Sequence, residues 1–401
     1  MKKGLPLAIV IAGLGAGCAL VLGIEDKPVV IPDGGGVDAA DATPPPDPCV
    51  HKFPPTAPAT DDDPVLRATF VVAARSFDLA EANDAGPIGL DLDDTCTCST
   101  GPGARHDGGP SCTSKTGAPT CDREGGVDNA FGGLAFITAV TSDPKSNDRS
   151  IQCGRTALLL VIQGYNGRAN DTSITLGPVL SPGLTTPHET NGGEPPSDCN
   201  PDGGGLPVVY TPRWDGTDQW SSDTNFVGPP GTAQPLALLK GYVHDWVLVA
   251  RAAKGQVVKV PFGPIVVAGS QMTVVARLEP LDAAGNPLPP DSATRAASVR
   301  VREGQIAVRA SAKSALAGIS SVNIDKLGFL CPGNPLYENV KQSLCEALDV
   351  ATDPELDFSG SACDAISAAV GFIGDPAQMR PPDDPIGTDA GPCANIAASC
   401  D

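Results

Sequence analysis

The chain has almost no recognisable catalytic vocabulary. It contains no Gly-x-Ser-x-Gly elbow, no His-Glu-x-x-His pair, no Gly-Lys-Ser/Thr phosphate loop and no Rossmann glycine fingerprint. No sequence signal therefore supports a serine hydrolase, zincin, P-loop NTPase or dinucleotide-dependent enzyme. The four histidines, His51, His106, His188 and His244, are scattered. Only His244 adjoins a strand-like run, and strand alternation would send its neighbour Asp245 to the opposite face. Aromatic residues are scarce at 4%, while 46 Gly and 41 Pro imply much turn and linker, so one substantial core is expected rather than two. Cations are also in short supply: 27 Lys and Arg face 47 Asp and Glu. A net charge of −20 repels nucleic acid, which is not expected as a partner.

What is present points outside the cytoplasm. Lys2 and Lys3 precede an apolar run from Leu5 to Gly17 and then Cys18. This is the charged and apolar order of a secretory signal, and the cysteine stands where a bacterial lipobox places its lipidated residue. Gly15 occupies the position where that motif usually has Leu, and apolar residues continue to Ile24, so simple secretion or an uncleaved anchor are the alternatives. Residues 1–23 are thus read as the anchor region, with Cys18 as the lipidation site and a membrane as the first partner. Without Cys18, twelve of the 13 cysteines remain, an even set that reads as disulfides in an oxidising compartment. Sequence proximity suggests pairing within Cys96, Cys98, Cys112 and Cys121, between Cys331 and Cys345, and among Cys363, Cys393 and Cys400. Residues 24–65, rich in Pro, Gly and Asp, read as a mobile tether that lacks apolar side chains to bury.

From residue 66 the pattern becomes short apolar runs at period two, broken by Gly and Pro. Thr69-Phe70-Val71-Val72, Leu158-Leu159-Leu160-Val161-Ile162 and Val299-Arg300-Val301 are examples. About nine such runs predict a mainly β body over residues 66–310, an antiparallel β-sandwich or jelly roll with a long loop at 182–236. A helix capped by Asp128 is expected over residues 129–137. Residues 311–401 read as a small helical, disulfide-tied appendage. Asn334-Pro335 starts one helix, and Ser361 with Asp364 forms a capping box for another across Ile366 and Val370.

Two candidate sites follow. Ile88, Leu90 and Leu92 alternate with Asp91 and Asp93, and with Asp94, Asp128 and Asn129 these supply hard oxygen ligands suited to Ca2+, although without EF-hand spacing. The plainer reading is that they cap turns at a disulfide-rich corner. Tyr210, Trp214, Asp215, Asp218 and Trp220 form a candidate aromatic platform for a glycan or a cell-surface protein, or else part of the core. The function expected is a non-catalytic binding or structural role. The enzymatic alternative is a secreted Ca2+-dependent hydrolase using paired carboxylates.

Five stretches carry a resemblance: Cys18-Ala19-Leu20-Val21-Leu22-Gly23-Ile24-Glu25-Asp26, Gly89-Leu90-Asp91-Leu92-Asp93, Gly126-Val127-Asp128-Asn129-Ala130 with Cys121 before it, Gly164-Tyr165-Asn166-Gly167 and Trp214-Asp215-Gly216-Thr217-Asp218-Gln219-Trp220. Together they resemble exported lipoproteins of myxobacteria, a family with no assigned activity. The resemblance implies an outer-membrane or cell-surface location, and no catalytic residue.

Overall fold

Eight strands, most of them built on these apolar runs, close on themselves. In the computed structural model, β1 (Ala68–Asp78), β2 (Ala157–Tyr165), β3 (Asp171–Ser181), β5 (Leu239–His244), β6 (Val247–Arg251), β8 (Ile265–Leu281), β9 (Ser298–Ser311) and β10 (Ala365–Pro376) pair antiparallel in chain order. The last returns to the first, Val72 facing Pro376 and Phe77 facing Phe372. The result is an eight-stranded up-and-down barrel, correcting the expected sandwich or jelly roll. Short β4 (Gln219–Ser221) and β11 (Gln378–Arg380) pair parallel beside it, and β7 (Val258–Phe262) pairs with the first half of β8. The structure describes residues 52–78, 82–83, 86–97, 110–117, 122–134, 149–185, 211–228, 231–262, 265–320, 323–324, 328–382, 393 and 399–400. The expected anchor with Cys18 lies outside them, as do Cys98, Cys121 and Tyr210.

The strand that closes the barrel is the one the sequence pattern assigns to a helix. Residues Ala365–Pro376 are buried at all but one position, because one face lines the barrel and the other is covered. A strand buried on both faces loses the alternation that identifies strands, and its alanines imitate helical composition. Its glycines reflect close packing. A β-carbon at Gly374 would lie 2.6 Å from Val72 Cγ1 and 2.9 Å from the Ala73 carbonyl. The supposed cap residue Asp364 instead accepts a hydrogen bond from the Thr352 amide at 2.6 Å.

Inside the barrel, Phe70, Val72, Leu158, Leu160, Ile162, Leu176, Leu248, Val274, Ile306 and Val370 interdigitate. Helices α1 (Ala312–Ser320) and α2 (Pro335–Glu346) join this cluster through Leu316, Ile319, Tyr337, Val340 and Leu344. The expected start of α2 is observed, with Asn334 accepting from the Leu336 amide at 2.9 Å.

Two stretches of the outer wall are covered as well. Leu159, Val161 and Val179 pack beneath Leu184, Trp220, Phe226 and Val227, so parts of the long 182–236 excursion act as a cover. Ala307 of β9 and Ala369 of β10 pack beneath Ile88 and Leu90. Burial of the latter two side chains contributes about 1.5–3 kcal/mol each, which holds residues 88–92 flat against the wall.

Three disulfides tie these layers together: Cys112–Cys363, Cys331–Cys393 and Cys345–Cys400, with Cα separations of 5.1, 5.5 and 5.5 Å. Cys96 and Cys153 are also disulfide-bonded. Pairing is by spatial layer rather than sequence proximity, so Cys331 does not join Cys345, and Cys112 leaves its local group for a residue 251 positions away. The end of the expected tether is likewise fixed to the barrel. Asp61 and Asp62 accept from the Thr172 and Asn170 amides at 2.5 and 2.8 Å, and the Tyr242 hydroxyl donates to the Pro55 carbonyl. Among the described residues, no helix is long and apolar enough to cross a membrane.

Candidate metal centre

The path of residues 88–97 gathers the acidic side chains. Gly89 has φ +134°, and a β-carbon there would lie 2.7 Å from Val127 Cγ1, so the close approach of this segment to residues 127–128 requires glycine. The Asp128 amide donates to the Leu90 carbonyl at 3.1 Å, and Asp128 Oδ2 accepts from the Leu92 amide at 2.6 Å. Beyond Leu92 the chain curls rather than continuing as a strand. Oδ1 of Asp93 and Oδ1 of Asp91 both accept from the Thr95 amide, at 3.0 and 3.3 Å. Asp94 takes a left-handed φ of 56° and is exposed.

This curl brings one carboxylate oxygen each from Asp91, Asp93 and Asp128 within 4.8 Å of one another. All three residues are buried. An equilateral triangle of that side has its centre about 2.8 Å from each corner, so a contraction of a few tenths of an ångström reaches the 2.3–2.6 Å of Ca2+–oxygen bonds. Three of the five expected ligands therefore converge. Asp94 is exposed, lies outside this group and lines a larger groove that Asp91 also borders. Asn129 is committed elsewhere, accepting from the Ala369 and Gly132 amides at 3.1 Å each and donating to the Ile88 carbonyl at 3.0 Å. Those bonds hold a short 3-10 turn, Phe131–Gly133, where an Asp128-capped helix is expected; residues 135–137 of that helix lie outside the described set.

Two further carboxylates join the corner. Asp122 accepts from the Thr97 amide at 2.6 Å, and Asp349, between α2 and β10, accepts from the Ser367 amide at 2.7 Å and from the Ser367 hydroxyl. With Asp128 they line a cavity of about 230 Å³. Burial and neighbouring carboxylates raise these groups far above the ordinary range. Burial pushes Asp93 and Asp122 to about 7 and Asp349 to about 6, and it raises Asp128 strongly. For Asp128, the charges of Asp93, Asp349 and Asp122 add to the effect of burial.

The buried cation beside the corner is already committed. Arg309 on β9 is fully buried. Both terminal nitrogens donate to Asp357, at 2.8 and 2.7 Å, and also to the Ala351 and Leu92 carbonyls at 2.9 and 2.6 Å. Arg309 thus braces the Leu92 backbone while its charge is shared with Asp357. The corner is left acid-rich, a state that protons or a bound cation would neutralise.

Asp122, Asp349 and Arg309 had no motif to reveal them. Asp122 stands next to a cysteine in a glycine-rich stretch, and Asp349 arrives from more than two hundred residues further along the chain.

The aromatic platform takes a different form. Trp220 is fully buried on the outer wall, so it presents no ligand face. Trp214 is half-buried, its ring centroid 5.8 Å from that of Trp220, with the Arg75 guanidinium 5.8 Å from its own centroid. Asp218 is fully buried and accepts from the Arg213 and Trp214 amides at 3.0 and 2.7 Å. Asp215 accepts from the Thr217 amide at 2.9 Å. Both acids are turn-forming, and the tryptophans close a cover. His244 and Asp245 do meet, Nε2 to Oδ2 at 3.6 Å, because Asp245 and Trp246 form a left-handed turn with φ 49° and 64° rather than continuing the strand.

Comparison with known proteins finds no matching family model, curated protein or solved structure.

Proposed function

We propose that this chain is an exported, membrane-tethered protein with a non-catalytic binding or structural role, and that its acidic corner holds a Ca2+ ion. The observation that carries the cation reading is the convergence of Asp91, Asp93 and Asp128 oxygens within 4.8 Å at a buried place. Ca2+ accepts six to eight oxygens in flexible geometry, and it would draw on this triad first, with waters completing the shell. The ion would lock the 90–97 segment to residue 128 and so secure the cover over β9 and β10. Export and anchoring rest on the N-terminal pattern with Cys18 and on the disulfides.

Titration calorimetry on chelator-treated protein tests the metal. Saturable heat with Ca2+, lost in Asp128→Asn, is expected; absence of heat at neutral pH overturns the reading. For the anchor, detergent phase partition of protein expressed in a bacterium should move from the detergent phase to the aqueous phase in Cys18→Ser. Equal partition of both forms overturns the lipid tether.

A further inference from the structure

Against the Leu90–Asp94 stretch lies a groove of about 700 Å³, within the range of small-molecule sites. Its floor carries costs that the fold does not repay. Gln271 sits at a bulge in β8, where the register with β9 shifts between Ser270 and Thr273, and its φ is 52°. Such a backbone costs a non-glycine residue about 1–3 kcal/mol. Its Oε1 is buried without a hydrogen-bond partner, and so is Oγ1 of Thr352 across the floor. The two residues are held in mutual register by the Ser270 hydroxyl, which donates to the Thr352 carbonyl at 2.7 Å. An unsatisfied buried polar atom costs about 1–3 kcal/mol, so three separate penalties meet at one place. Strain and orphaned polar atoms gathered on a groove floor mark a functional surface.

The lining defines what would satisfy it. Gln271 Oε1 accepts only, and Thr352 Oγ1 accepts or donates, so the ligand must bring hydrogen-bond donors. The exposed Phe53 and Val257 supply apolar contact beside them. Lys254 at the rim is ion-paired with Glu355, and Asp91, Asp94, Asp353 and Arg251 complete the charged lining, so carboxylates outnumber cations and add acceptors while disfavouring anions. A neutral molecule with several hydroxyls and an apolar C–H face fits this combination. We propose that the groove is a binding site for a neutral saccharide, its hydroxyls bonding Gln271 Oε1 and Thr352 Oγ1 and one ring face lying on Phe53 and Val257. The assignment rests on Gln271 and Thr352 and does not require the cation.

The test uses the full chain on an array of neutral glycans, followed by calorimetry with maltotriose, cellotriose and chitotriose. Thr352→Val keeps the side-chain shape and removes only the orphaned hydroxyl, and Gln271→Gly removes the acceptor while relieving the backbone. Each should weaken saccharide binding by roughly three- to tenfold, the range of one neutral hydrogen bond, while leaving the melting midpoint unchanged or higher. Failure of every neutral saccharide to bind overturns the proposal. Undiminished binding by Thr352→Val overturns it too, as does a lowered midpoint in that variant, which would make Oγ1 a structural group.

Discussion

Replacing Asp128 by Asn separates a cation-holding corner from a proton-sharing one. The amide oxygen of Asn can still accept from the Leu92 amide, a bond of 2.6 Å in the native corner, so the backbone link survives while one anionic ligand is lost. Ca2+ at one hundred times its dissociation constant stabilises a native state that alone binds it by about 2.7 kcal/mol. For the compact unit spanning residues 47–401, at roughly 2.1 cal/mol/K per residue, the unfolding entropy is about 0.75 kcal/mol/K. The native chain should therefore melt about 4 °C higher in Ca2+ than in chelator at pH 8, and Asp128→Asn less than about 1 °C higher. The pH dependence adds a second signature. In chelator, the folded carboxyl groups of Asp93, Asp122 and Asp349 hold protons up to about 7, 7 and 6, against 3.8 when unperturbed. Their contribution to stability is complete below pH 3.8 and is lost as pH rises through 6 to 7, so the midpoint should fall between pH 5 and 8. Ca2+ replaces those protons, so its stabilising increment should grow over the same interval. Differential scanning calorimetry at pH 5, 6, 7 and 8 reads both effects. A midpoint at pH 8 that Ca2+ does not move, or an equal increment in Asp128→Asn, refutes the cation argument.

Other perturbations probe the supporting structure. Cys112→Ser with Cys363→Ser opens a link spanning 251 residues and should lower unfolding free energy by about 2–5 kcal/mol in urea titration. It should also weaken Ca2+ binding, because Ser111, next to Cys112, bonds Asp93. Gly374→Ala forces a β-carbon against Val72 and the Ala73 carbonyl at the closing seam and should cost about 1–3 kcal/mol, visible as a lower urea midpoint. Trp220→Ala removes a fully buried ring and should cost about 3–5 kcal/mol while leaving saccharide binding by the remaining folded protein intact. Lost binding with unchanged stability would restore Trp220 as a ligand contact.

Much of the barrel was legible because its strands keep apolar side chains at alternate positions or in short unbroken runs. Leu158, Leu160 and Ile162 point inward, and their neighbours Leu159 and Val161 meet a cover, which is why this run reads as continuous. The same rule fails at Ala365–Pro376, where close packing on both faces selects Ala and Gly, residues whose local preference says nothing of a sheet. That strand converts an open layer into a closed barrel, so misreading it misassigns the architecture. Closure also removes the exposed edges that an open sheet must protect.

The candidate site divides in the same way. Asp91, Asp93 and Asp128 stood out because they cluster locally around a short apolar alternation and a glycine-rich turn. Asp349 and Arg309 come from distant strands and connections, and only the packing of the 88–92 segment on β9 and β10 brings them to the corner. The chain's acidity, cysteine parity and N-terminal pattern followed from composition and order alone. Tertiary structure decided which cysteines meet, which carboxylates share a cavity and where polar atoms lack partners, because these depend on distances between residues whose separation along the chain carries no spatial information.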